Sequence, residues 1–358
     1  MPDFRPGLDL ARDFYREVVR ELVEVPHAAA LLGEGSEVLG YDQPRSTDHG
    51  WGPRLLVFVS ERHVRAVTDA VESGLPERFA GWPVRFFDSE TGTVRHHVGV
   101  GTLGSWLLGQ LGVSPGAVLP TSLPVSWWLA VPQQHLLQVT AGEVFTDEIG
   151  ELTGVRDALA HYPRDVWLWL MASQWHLIGN AEPLVGRCAE AGDERGGRLV
   201  ATRLVRLLAE QCFLQERRYW PYPKWFGTAF GRLPCADRIG PLLDELLDAR
   251  EPAARERALV AALETVAGRH NELGVTPPVD PACGPFDVNI AGAVRPYRVL
   301  NAGRFVTACR DAVSDRALRE LVTVGGIDQL THADDALVNF TPWPGRLRSV
   351  YQGLLSGT

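Results

Sequence analysis

The segment Val166 to Ile178 is apolar on nearly every side and constrains the fold more than any other part of the chain. A helix of that kind must be surrounded, either by other helices or by lipid. It has only 13 residues and already contains Gln174 and His176, whereas a membrane span needs about 20 predominantly apolar residues. The chain is therefore expected to build a helical bundle around it. Asp165 is placed to cap the start of this helix, and Gly179-Asn180 to stop it. The same periodicity predicts helices over residues 197–216, 237–249, 253–272 and 302–313. Pro252 falls at a first helical position and Gly274 just past the end of the same helix, while Pro277 to Pro281 read as a rigid connector.

The beginning of the chain follows a different pattern. Leu8, Ala11, Tyr15, Val18 and Leu22 recur at helical spacing, so residues 8–24 are predicted to form an amphipathic helix that ends at Pro26. His27 to Leu32 is a short apolar run entering the turn-rich Gly33-Glu-Gly-Ser36, which suits a buried strand. A second strand is predicted over Arg54 to Val59, then a helix capped by Ser60, then a third strand, Val84 to Phe87, ending at Asp88. Alternating strands and helices with short turns indicate an α/β layer. Residues 91–150 mix Gly, Pro and Trp with short apolar runs and carry no firm assignment. The expected fold class is α/β plus α, with a small mixed-sheet domain over residues 1–150 and a helical bundle domain over 151–358.

Charge and cysteine usage narrow the function classes. The 44 Asp and Glu residues outnumber the 35 Lys and Arg residues, for a net charge of −9. That is the wrong sign for a protein held to nucleic acid by phosphate contacts. Neither a membrane nor a nucleic-acid partner is expected, though a local basic pocket for a small anion is compatible with the balance. The five cysteines are scattered and never form a CxxC pair, so they read as reduced and mostly buried, in a cytoplasmic protein. Lys224 is the only lysine among the 35 basic residues. Compositional bias accounts for the arginines, whereas the exception suggests a position where a compact ammonium does something a guanidinium cannot.

Gly35-Ser-Glu-Val-Leu-Gly-Tyr-Asp42, followed by Ser46-Thr-Asp-His-Gly-Trp-Gly-Pro-Arg54, is the stretch that suggests chemistry. A Gly-Ser turn after a buried strand, leading into a short helix, offers backbone N–H groups and a hydroxyl to an anion. Asp48, just ahead of the next strand, could hold a divalent cation against the same phosphates. A common turn and a solvated aspartate would have the same sequence.

This order of strand, Gly-Ser, short helix, Asp and strand resembles the nucleotidyltransferase fold of aminoglycoside nucleotidyltransferases and polymerase-beta-like enzymes. Together with Arg218-Tyr-Trp-Pro-Tyr-Pro-Lys-Trp-Phe-Gly227, the two motifs also resemble a bacterial family of unknown function within that superfamily. The resemblance implies metal-dependent transfer of a nucleoside monophosphate from an NTP to a hydroxyl of a small molecule, with Mg2+ as cofactor. It makes Gly35 and Ser36 the phosphate turn, Asp48 the first metal ligand and Asp88 a candidate third. The position two residues after Asp48, where a second carboxylate is usual, is Gly50. Asp42 and His49 are nearby substitutes. The alternative expectation is a catalytically impaired nucleotide-binding or interaction module.

The helical half contributes Glu216 to Phe226. Its prolines make the segment irregular, so Lys224, Arg217 and Arg218 could hold phosphate oxygens and Tyr219 or Trp225 could stack on a base. An aromatic hinge would use the same residues. Glu216 and Glu210 are candidate general bases by their similarity in position to glutamates of aminoglycoside nucleotidyltransferases, and Glu216, Lys224 and Asp48 form the expected catalytic set. The expected arrangement has the NTP in a cleft between the two domains. Gly99-Val-Gly-Thr-Leu-Gly104 fits GxGxxG without the acidic residue that a dinucleotide site needs downstream. The His96-His97 pair has poor metal-ligand spacing. His270 reads as a structural residue near a helix end.

Overall fold

A computed structural model describes residues 2–88, 91–118, 123–287, 294–332 and 343–357. It is mixed α/β, with a small mixed sheet in the N-terminal part and a helical C-terminal region. Two compact units emerge. The first comprises residues 1–123 and 133–160, the second residues 124–132 and 161–358.

The first unit is built on five strands, β1 (Ala28–Leu31), β2 (Arg54–Phe58), β3 (Arg85–Asp88), β4 (Thr93–Gly101) and β5 (Glu143–Asp147), in the order β3-β4-β2-β1-β5. Only the β2 and β4 pair is parallel. Parallel neighbours need a crossover, and here it is α2 (Val64–Gly74), preceded by a short 3-10 turn that follows Ser60. Helix α1 (Gly7–Phe14) runs on through a π-helical segment, Tyr15–Val19, to Leu22. Phe14, Val19, Val67 and Val71 pack on Ala29, Leu55 and Val57 to make the core. All four β1 residues are buried, and three are alanine, which lets helices approach the middle of the sheet closely.

The stretch without a sequence assignment, residues 91–150, holds β4, α3 (Leu103–Leu111), α4 (Gln133–Thr140) and β5, and α5 (Glu151–Ala158) follows it directly. The long strand β4 was hard to read because its Val-Arg-His-His-Val pattern leaves most of its side chains only partly covered. The third predicted strand is β3, an edge strand antiparallel to β4.

In the second unit the central helix α6 spans Arg164–Glu190, 27 residues with Pro183 inside. The expected stop at Gly179-Asn180 does not occur. Tertiary packing overrides it. A side chain at Gly179 would meet Ala302 Cβ at 3.4 Å, and the next turn places the Glu182 carboxylate on the backbone N–H groups of Leu300 (2.6 Å) and Ala302 (2.9 Å). Around α6 lie α7 (Glu194–Gln215), α8 (Pro223–Phe230), α9 (Ala236–Asp248), α10 (Pro252–Glu272) and α11 (Gly303–Asp311), with a hairpin of β6 (Gly284–Asp287) and β7 (Val294–Val299) that the sequence pattern did not reveal. Trp169, Met171 and Trp175 of α6 are fully buried, as a helix apolar on all sides requires. His270 is fully buried too. It accepts from Trp175 Nε1 (3.3 Å) and pairs with Thr276 Oγ1 (3.0 Å), so it is a satisfied core histidine.

Candidate functional site

Strand β1 delivers the chain into a turn at Gly33–Ser36. The expected short helix does not follow Ser36. Residues 36–40 form turns, closed by bonds from Gly40 N to Glu37 O (3.1 Å) and Tyr41 N to Ser36 O (2.9 Å), and a short 3-10 helix comes later, at Pro44–Asp48. The turn therefore has no helix N-terminus behind it. Gly35 has φ +126°, a left-handed geometry that favours glycine. Its missing side chain also has a use, because a Cβ there would lie 2.5 Å from Arg54 Nη2 and 2.6 Å from Glu37 Oε2.

Arg54 and Glu37 are two residues that sequence reasoning overlooked. Arg54 opens β2 and donates Nε to Glu37 Oε1 (2.7 Å), and its Nη2 also reaches the Glu34 carbonyl. Glu37 is 5% exposed, so the pair sits beneath the turn and fixes a guanidinium there. The signal was present in the sequence as a Glu two residues past the glycine and an Arg directly after Pro53. Pro53 cannot donate to a ladder, so the strand, and the arginine with it, begins at residue 54.

That same start displaces the expected metal site. Asp48 ends the 3-10 helix, well before β2, so it does not share a strand face with residue 50. Gly50 has φ +60° and open space around its Cβ position. Asp48 is half exposed and receives His49 Nδ1 at 2.6 Å, a contact that holds its carboxyl below the usual range. Asp42 is occupied elsewhere. Its Oδ2 accepts from Gly7 N (2.7 Å), the first residue of α1, and from Trp51 Nε1 (3.0 Å). Asp88 is buried at the end of β3, where Arg95 Nε donates to it at 2.5 Å across the β3–β4 hairpin. Among the described residues no group of three His, Cys, Asp or Glu side chains could hold a metal ion. Asp48, Asp42 and Asp88 thus each have partners of their own and form no such group.

His97 faces Arg54 in the parallel register and stacks on Phe86 with ring centroids 3.8 Å apart. Burial holds its pKa down. His96 pairs with Glu72 (2.6 Å) instead. Gly99 and Gly101 lie on β4, and Thr102 caps α3 by accepting from Ser105 N (3.0 Å).

In the second unit, Glu216 closes α7 and is tied to Arg269 of α10 by a mostly buried ion pair. Glu210 is buried and accepts from Arg206 Nε (2.6 Å) and Gln174 Nε2 (3.0 Å), while Gln329 Nε2 donates to Gln174 Oε1 (2.7 Å). The Arg206 guanidinium also lies 3.5 Å from the centre of the Phe226 ring, joining this network to the aromatic segment.

Arg217 and Arg218 are exposed. Arg217 takes φ +53°, uncommon for a side-chain-bearing residue, and lays its guanidinium 4.9 Å from the centre of Trp167. Tyr219 is 6% exposed. One face stacks on His161 (5.6 Å, 19°) and Tyr162 meets it edge-on (5.2 Å), so its ring is packed inside the unit rather than offered to a base. His161 was not anticipated. Burial and the neighbouring arginines push its pKa down to about 3, and its Nε2 is buried without a partner. Trp225 and Phe226 are buried, whereas Lys224 is exposed in the first turn of α8, with Nζ 4.8 Å from the Trp225 ring centre.

A protein-family model described as a domain of unknown function, DUF4037, matches residues 128–226. That range includes His161, Gln174, Glu210 and the aromatic segment through Phe226. No curated protein and no solved structure matches the chain.

Proposed function

We propose that this chain is a nucleotidyltransferase-like protein that binds a nucleoside triphosphate at the turn between β1 and β2, and that it transfers the nucleoside monophosphate to a small-molecule hydroxyl slowly at best. The observation that supports the reading is the Gly35–Ser36 turn closed against the Arg54 guanidinium, an immobilised cation beside a glycine-rich backbone and a hydroxyl. Such a group recognises phosphate oxygens through charge-assisted hydrogen bonds. The family resemblance of the motifs points the same way.

A second reading, nucleotide binding without catalysis, is favoured by a specific observation. Among the described residues Asp48 belongs to no group of three metal-binding side chains, and Asp42 and Asp88 are engaged in capping α1 and pinning a hairpin. Thermal-shift screening of the four NTPs, with and without magnesium, tests the binding common to both readings. A ligand that prefers the folded state raises its apparent melting temperature. At least one NTP is expected to do so even in chelator, and a flat response to all four rejects the proposal. Single-turnover assays with the responding NTP then separate slow transfer from none.

A further inference from the structure

The second half of α6 borders a cavity that the nucleotide reading does not use. It lies wholly within the second unit, has a volume of about 830 Å³ and is walled by α6, the β6–β7 hairpin with the connector ahead of it, and the start of α11. That size is in the range of small-molecule sites. The wall is fixed from behind. Both oxygens of the buried Glu182 carboxylate accept backbone N–H groups, from Leu300 and Ala302, so the residue between them, Asn301, is held at φ +57°. Asparagine visits this left-handed region more readily than most residues, and Asn301 itself remains exposed. Arg304 is held as well, with Nη2 donating to the carbonyls of Leu300 (2.6 Å) and Ala282 (3.4 Å) and Nε to that of Asn301 (3.5 Å).

Several polar groups on this wall have no protein partner. Among the described residues the side-chain amides of Asn180 and Asn301 and the Nη1 of Arg304 make no hydrogen bond, and His176 uses only Nδ1, with Thr323 Oγ1 at 3.2 Å. Pro183 has no N–H, so the Gly179 carbonyl, also on the wall, lacks its usual helical donor. An amide both donates and accepts, a carbonyl only accepts and a guanidinium only donates. A ligand matched to this set must do both at several points, as hydroxyl groups do. Charge points the same way, because Arg304 shares the wall with the carboxyl groups of Asp280 and Glu182, and no positive field is left to favour a polyanion. Phe286 of β6 adds an apolar surface for the C–H face of a sugar ring, its own ring stacked on Tyr297 (5.6 Å, 21°). We propose that this cavity binds a neutral carbohydrate, with Asn180, Asn301, His176 and Arg304 bonding its hydroxyls and Phe286 packing against a ring. The site belongs to the second unit and does not depend on nucleotide binding at the turn between β1 and β2.

The test titrates the full-length natural protein with maltose, cellobiose, trehalose and diacetylchitobiose, followed by saturation-transfer NMR, with pyrophosphate as the anionic competitor. At least one sugar is expected to bind saturably, and its Kd should rise about tenfold in Asn180→Ala/Asn301→Gly, roughly the effect of losing two hydrogen bonds. Glycine keeps the backbone conformation of residue 301 without the amide, so the variant should melt with the natural protein. The bound sugar should also slow amide hydrogen exchange in residues 299–306 of the natural protein, a readout that needs no variant. Ser36→Ala should leave the sugar affinity unchanged, so this proposal and the nucleotide reading can fail separately. No saturable binding by any of these sugars, an affinity unaltered in the double variant, exchange slowed only away from the cavity wall, or displacement of the sugar by pyrophosphate would each overturn the proposal.

Discussion

At the scale of single residues, the Glu37–Arg54 pair is the feature on which the proposed phosphate turn depends. Removing one member of a buried ion pair leaves an uncompensated charge, at a typical cost of 3–5 kcal/mol; with Arg54 one-fifth exposed, about 2–3 kcal/mol is expected for Arg54→Met. The double variant Glu37→Met/Arg54→Met should recover most of that loss, because neither charge is then stranded. Urea unfolding of the two variants checks this, and a double variant no more stable than Arg54→Met would contradict it. Lys224 makes the opposite case. A cation in the first turn of a helix opposes the dipole, and this one is exposed. Lys224→Met should leave the melting temperature unchanged or raise it slightly. A marked fall would make the only lysine a packing residue instead of a side chain free for a ligand anion.

At the scale of elements, helix α6 carries the most information. Gly186 lies beneath β7, and a Cβ there would come within 2.2 Å of Tyr297 Cγ, the base of a ring already stacked on Phe286. Gly186→Ala should therefore cost about 1–3 kcal/mol by overpacking, whereas Gly268→Ala on α10, where a Cβ meets nothing within 4 Å, should be neutral or stabilising. Similar denaturation midpoints for the two variants would contradict that packing. Much of the element order was legible in the sequence because burial on one face leaves a period: α1 with its continuation to Leu22, β1, β2, β3, α7 and α9 to α11 begin and end within a few residues of their expected positions, whereas α8 forms where the prolines pointed to an irregular segment. The stop at Gly179-Asn180 was misread because Ala302 and the N–H groups that Glu182 holds are 120 residues or so away in sequence, beyond any local signal. The Gly-Ser turn was legible as a turn. The pair that fills it was overlooked although both residues stand beside the turn motifs, since a buried charge pair leaves no periodic trace, and the packing of Tyr219 on His161 and Tyr162 joins residues more than 50 positions apart.

At the scale of the whole molecule, three titratable groups act on stability with opposite signs. His161 and His270 are lowered from 6.5 to about 3 and about 4, mainly by burial, so below pH 6.5 the unfolded chain takes up protons that the native protein refuses and stability falls. Glu182 is raised from 4.5 to about 7 by burial, so between pH 7 and 4.5 the native protein holds a proton that the unfolded chain lacks, and stability rises on acidification. Each group carries about 1.4 kcal/mol per pH unit in its window. The two histidines outweigh the one glutamate, and Glu182→Gln should steepen the loss between pH 6.5 and 5 by about one such increment. Urea midpoints measured across that range decide it, and an unchanged slope would mean that Glu182 is ionised throughout. The central claim, that the turn between β1 and β2 binds nucleotide through Arg54 and Ser36 without a protein-held magnesium, is most directly tested by isothermal titration calorimetry. The titration uses the NTP that gives the largest thermal shift, against the natural and Ser36→Ala proteins, in chelator and in magnesium. The account predicts saturable binding in both buffers, weakened by about 1–3 kcal/mol in Ser36→Ala as for a lost hydrogen bond to a charged group. Binding that appears only with magnesium, or that Ser36→Ala leaves untouched, would contradict it.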